Sequence, residues 1–169
     1  MKIRFKITRQ LLKTVRQDLA RRHPFAYERV GFIACGVSAQ AGDLSLYANE
    51  YRPVADDDYL RDDSVGAMMG PEAIRKALQW AMSGVSIFHV HTHCGQGHPG
   101  FSKVDLREQA KFVPNFFQVA PRSPHGALVL SGTHARGHIW LAEDQPSSII
   151  NEFVEVGTPL KGWQTNESI

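Results

Sequence analysis

The sequence predicts a mixed α+β (α/β) fold, and three observations lead there. Short apolar runs with the two-residue alternation of strands recur along the chain, amphipathic stretches with helical spacing lie between them, and Pro and Gly mark the boundaries. At 169 residues the chain has the length of one ordinary domain. No internal repeat, low-complexity tract or linker divides it, so residues 1–169 read as a single domain.

The elements follow in order. Residues 2–7 alternate as a strand with Ile3, Phe5 and Ile7 on one face, and Leu11, Leu12, Val15 and Leu19 then mark an amphipathic helix ending near Pro24. "YERVGFIACG", residues 27–36, is an apolar strand-like run with Glu28 near its start. Residues 44–54 read as another strand, and the Asp-rich stretch through Gly66 and Gly70 reads as an exposed loop whose Met68 and Met69 are placed to cover something. Pro71 suits a first helical turn, and Ile74, Ala77, Leu78 and Ala81 share a face until Gly84. "VSIFHVHTH", residues 85–93, is a core strand running into a Gly-rich loop. Ser102 then opens a third helix, with Leu106, Ala110 and Val113 inward, before Pro114. "NFFQVA", "GALVLSG" and "GHIWLA" read as three strands, the last two joined by a loop at 133–136, and a short helix is expected around 149–154.

Composition narrows the class. Hydrophobic residues make up 43% and charged residues 21%, and no segment approaches the about 20 apolar residues of a membrane span. The opening MKIRFKITRQ lacks the apolar core of a secretory signal, which points to the cytoplasm. Cys35 and Cys94 cannot build a disulfide framework; Cys35, in an apolar run, reads as packing. Net charge is only +2, but Lys2, Arg4, Lys6, Arg9, Lys13, Arg16, Arg21 and Arg22 crowd one end, while Asp56, Asp57, Asp58, Asp62 and Asp63 form an acidic run. The basic stretch lacks interleaved aromatics beyond Phe5 and matches no nucleic-acid motif, so neither a nucleic-acid nor a membrane partner is supported.

Chemistry concentrates in "HVHTHCGQGHPGFSKVDL", residues 89–106, which holds four of the chain's eight histidines. Residues two apart on a strand project from one face, so His91 and His93 can aim both imidazoles at one metal ion. Asp105, in the first turn of the following helix, can fold back as a third ligand and leave the fourth position open, which is the arrangement of a catalytic ion. Hydrolysis at such an ion still needs a proton carrier, and Glu28 is the candidate. Ser102-x-x-Asp105 is also a capping-box pattern, and capping competes with ligation for the same carboxylate. His98, His125, His134 and His138 read as loop or surface residues. HExxH, the zinc-deaminase pattern, the GxSxG elbow and the P-loop are all absent.

These residues resemble the MPN/JAMM (JAB-type) zinc isopeptidases, whose pattern is an upstream Glu, then HxH, seven to ten residues and SxxD. Glu28 with Gly31, His91-Thr92-His93, eight intervening residues and Ser102-Lys103-Val104-Asp105 match it. The resemblance implies an MPN/JAB-like domain with a mixed, largely antiparallel sheet and helices packed on its faces. It implies zinc on His91, His93 and Asp105, Glu28 as general base and acid, and Ser102 as a stabiliser of the oxyanion. It further implies cleavage after the C-terminal glycine of a ubiquitin-like protein or its conjugate, by deconjugation or by precursor processing. Stand-alone prokaryotic JAB peptidases are similar in size, and some sit beside ubiquitin-like conjugation enzymes in antiviral operons. Others process sulfur-carrier proteins, and a non-catalytic MPN-like scaffold is the alternative from another class. The chain departs from the pattern at Cys94, where Pro commonly follows the second His, and at Phe101, before the Ser. It departs again at His89, which makes a competing HxH pair with His91.

Overall fold

Charged residues at 2, 4 and 6 alternate with Ile3, Phe5 and Ile7, and that alternation sets the first strand. The computed structural model describes residues 1–157 and the backbone of 161–164. In chain order they form β1 (Ile3–Thr8), α1 (Arg9–Leu19), β2 (Val30–Gln40), β3 (Asp43–Pro53), a 3₁₀ turn at Asp56–Asp58, β4 (Tyr59–Leu60), β5 (Met68–Met69) and α2 (Pro71–Ala81). They continue with β6 (Ser86–Thr92), α3 (Lys103–Phe112), a 3₁₀ segment at Val113–Gln118, β7 (His125–Leu130), β8 (Ala135–Trp140), β9 (Ser148–Ile149), β10 (Glu152–Val156) and β11 (Lys161–Gln164). The fold is mixed α+β. Among the described residues one nine-stranded sheet runs β11-β10-β1-β3-β2-β6-β7-β8-β9, and β4 pairs with β5 apart from it. The pairs β1–β10, β1–β3 and β6–β7 are parallel; the other neighbours in the large sheet are antiparallel.

The sheet buries both faces. On one, Leu12, Val15 and Leu19 of α1 pack with Phe5, Phe88, Val90 and Phe153. On the other, Ala73, Ala77 and Trp80 of α2 pack with Phe32, Ile87 and Phe116. Alternation along β6 therefore sends Phe88 and Val90 to the α1 side, and Ile87, His89 and His91 to the side of α2 and α3.

The structure corrects four local expectations. Residues 115–120 are not a strand: the 3₁₀ segment has Pro114 at its start and buries the consecutive Phe116 and Phe117, which a strand would point to opposite faces. Residues 149–154 are not a helix. Phe153 and Glu155 alternate inward along β10, and the ladder to β1 supplies its hydrogen bonds. On α3, Leu106 is 44% exposed and Ala110 faces solvent, while Asp105, Gln109, Phe112 and Val113 turn inward. That rotation follows from Asp105 having to reach the histidines. The acidic run is not simply an exposed loop either: Asp58 is buried against Lys76 at 2.7 Å, and Asp56 lies 2.6 Å from the buried guanidinium of Arg29.

Charge at the N-terminal end is partly paired. Arg4 bonds Asp43 at 2.7 Å and Glu152 at 2.9 Å, Lys2 lies 3.1 Å from Glu152, and Arg9 lies 2.6 Å from Glu155. Lys2, Arg4 and Arg9 are thus tied to acidic partners.

Candidate metal centre

The end of β6 supplies His91, the position just past its last residue, Thr92, gives His93, and α3 supplies the carboxylate. Ser102 caps α3: its Oγ accepts from the Asp105 amide at 3.1 Å, and Asp105 Oδ2 accepts from the Ser102 amide at 2.7 Å. The same Oδ2 stands 3.5 Å from His91 Nε2 and 3.4 Å from His93 Nε2, and the two Nε2 atoms are 3.2 Å apart. Capping and approach to the histidines therefore coexist, because the cap holds the carboxylate at the helix end that faces β6.

This trio is the group among the described residues whose ligand atoms all lie within 4.8 Å of one another. A tetrahedral ion at about 2.0–2.1 Å from each ligand sets neighbouring donors about 3.3–3.4 Å apart, so the donor set fits one. The trio uses His91 and His93; His89 lies outside it.

Charge at the site follows burial and neighbours. Burial pushes the Asp105 carboxyl up, but the His91 imidazole and the donors of Ser102 pull it down further, leaving it well below the usual carboxylate range. Burial pushes His89 down to about 3, helped by the adjacent His91, so its ring is neutral.

Glu28 reaches the same place from the stretch just before β2. The β2–β6 register pairs Val30 with His91, and Glu28 lies two residues before Val30 as His93 lies two after His91. Its backbone is pinned, since the amides of Tyr27 and Glu28 both donate to the Gly66 carbonyl, at 2.9 and 3.0 Å. Arg29 anchors the same stretch through the carbonyls of Arg21 and Arg22 at 3.0 and 2.8 Å. A cavity of about 380 Å³ is lined by Glu28, His91, His93, Ser102 and Asp105, with Val65 to Met69 along another wall. Met68 and Met69 do cover something: this cleft.

The remaining sequence candidates fall apart from the trio. Cys94 is exposed and outside the group, and Cys35 is buried, its thiol pushed well up by desolvation. His125 is not a surface residue: it is fully buried on β7, where its Nδ1 accepts from the Ile87 amide at 3.0 Å. Sequence reasoning missed Gln109, 3% exposed on the cavity wall, and read as loop or surface His138, which lies half-buried on β8 with its Nδ1 3.3 Å from the Gln109 amide nitrogen. The signal for Gln109 was its spacing of one helical turn from Asp105.

No family model matches the sequence, and no curated protein does. Among solved structures, the N-terminal domain of Trichoplax adhaerens STIL aligns over 79% of this chain and 40% of its own length, at 8% identity and a TM-score of 0.36.

Proposed function

We propose that this chain is a zinc-dependent hydrolase of the JAMM type, cleaving the peptide or isopeptide bond after the C-terminal glycine of a ubiquitin-like protein. One observation carries the reading: two imidazoles and a carboxylate converge at ion-binding separations in a cleft that a further carboxylate, Glu28, also lines. His91, His93 and Asp105 hold the zinc. When bound, zinc supplies Lewis-acid polarisation of a carbonyl and lowers the pKa of water.

The chain's own residues do the rest. Glu28 takes the proton of the attacking water on a carboxylate oxygen and hands it to the departing amine. The Ser102 oxygen already accepts from the Asp105 amide, so its hydroxyl proton is free to donate to the carbonyl oxygen as charge builds there. An extended glycine tail suits a cleft walled by Met68 and Met69, since residues without side chains pass where bulkier ones stop. The partner is thus a ubiquitin-like protein or its conjugate. We place the reaction in the cytoplasm; no helix among the described residues is long and apolar enough to cross a membrane.

The test combines elemental analysis with cleavage of a ubiquitin-like protein fused through its terminal glycine. About one zinc per chain is expected, lost in His91→Ala, His93→Ala and Asp105→Ala. Glu28→Gln keeps the zinc and loses about 10²–10⁴-fold in turnover. Wild type without metal favours a binding scaffold instead, and a Glu28→Gln variant at full rate refutes the proton-carrier role.

A further inference from the structure

The wall beneath the trio is polar where packing alone would make it apolar. His89 is 9% exposed, with its ring edge-on to Phe32 at 5.7 Å and to Phe112 at 5.2 Å, and Gln109 is 3% exposed. Three buried atoms there meet no hydrogen-bond partner within the protein: His89 Nε2, His91 Nδ1 and Gln109 Oε1. A buried polar group left unpaired costs about 1–3 kcal/mol, so three of them around one cavity call for a shared explanation.

Element geometry brings these residues to one level. Stepping back from His91 to His89 along β6 moves about 7 Å, and stepping on from Asp105 to Gln109 along α3 moves about 6 Å. The two elements meet at His91 and Asp105 and again at His89 and Phe112, so Gln109 falls in the rung between. The His89 and His91 rings are 5.6 Å apart, centroid to centroid.

Their hydrogen-bonding capacities are complementary. With the Nε2 lone pair of His91 given to an ion, its proton sits on Nδ1, a donor. The amide nitrogen of Gln109 faces His138 Nδ1 at 3.3 Å, which leaves Oε1 as a buried acceptor without a partner in the protein. His89 Nε2, buried and without a partner in the protein, is a second acceptor when the ring proton sits on Nδ1. One donor and two acceptors match the three hydrogen bonds typical of a buried water.

We infer that His89 and Gln109 are positioning residues, sharing one buried water with His91 Nδ1 and thereby fixing the tautomer and orientation of that ligand. The inference deepens the metal reading above and rests on it. Partners of this kind, one shell beyond the ligands, are worth about 10–100-fold in metal affinity.

The test measures Co²⁺ affinity by chelator competition, together with the cobalt absorption spectrum, in wild type, His89→Phe, His89→Gln and Gln109→Met. Affinity falls about 10–100-fold and the spectrum shifts in His89→Phe and Gln109→Met, while His89→Gln, which restores a polar atom, regains most of the loss. Affinities within about two-fold of wild type in all three variants overturn the inference. Nitrogen-15 NMR of wild-type histidine rings needs no substitution and no metal. A slowly exchanging Nδ1 proton on His91 is expected there, and a His91 without a proton on Nδ1 overturns the inference whether or not wild type binds metal or cleaves anything.

Discussion

A methyl group at residue 66 would lie 2.7 Å from the Glu28 carboxyl carbon. The obstacle is the mobile end of a side chain, so Gly66→Ala shifts the carboxylate rather than the backbone. Stability then changes by about 0.5 kcal/mol or less and zinc content stays the same, while turnover drops by about 10²-fold because the carboxylate proposed as proton carrier is displaced by about 1 Å. Matched thermal melts, metal analysis and cleavage rates check this. Elsewhere a single histidine sets an acid limit. Burial lowers His125 to about 4, although its bond to the Ala120 carbonyl opposes the shift. The folded state therefore refuses a proton that the unfolded chain takes up near its ordinary value of about 6.5. His125 adds full stability above that value and loses it as pH falls towards 4. Between pH 7 and about 4.5 the loss is about 2–3 kcal/mol, and His125→Gln, whose amide can still serve Ile87 and Ala120, flattens the decline in urea unfolding by that amount.

α3 joins stability to chemistry at one helix end. Ser102→Ala removes the acceptor for the Asp105 amide, at a cost of about 1 kcal/mol in denaturant unfolding, and Ser102→Thr recovers most of it. Zinc content stays at the wild-type level in both variants, because the Ser102 backbone amide still holds Asp105 Oδ2. This helix also shows where sequence legibility ended. Its start was visible in Ser102 and Asp105, and β6 was visible in the alternation of Ile87, His89 and His91 against Phe88 and Val90. Its rotation was not, because apolar Leu106 and Ala110 suggested the inner face, whereas contact between Asp105 and the histidines decided it. Phe116 and Phe117 offered strand-like composition, but a Pro-initiated turn buried both together. β10 was hidden for a different reason: its partner is β1, at the far end of the chain, and no local window contains that ladder. That Glu28 and the histidines line one cavity likewise depends on the pairing of β2 with β6, invisible until the two strands are paired.

The whole molecule is closed by its first strand. β1 lies between β3 and β10, parallel to both, and Ile3 exchanges bonds with Asn151: its amide donates to Asn151 Oδ1 at 2.7 Å, and its carbonyl accepts the Asn151 amide at 2.9 Å. Asn151→Ala leaves the Ile3 amide without that acceptor and costs about 1–2 kcal/mol, seen as faster unfolding in denaturant. The position of β1 also bears on synthesis. Its partner β10 emerges from the ribosome some 140 residues later, a delay of about 7–30 s at typical elongation rates. For that time one edge of β1, bearing Ile3, Phe5 and Ile7, is open to other nascent chains. Lys2, Arg4 and Lys6, interleaved with those residues, are the kind of gatekeepers that discourage such pairing, so charges that in the finished protein bind Glu152 or lie over the Tyr47 ring also oppose association of the unfinished one.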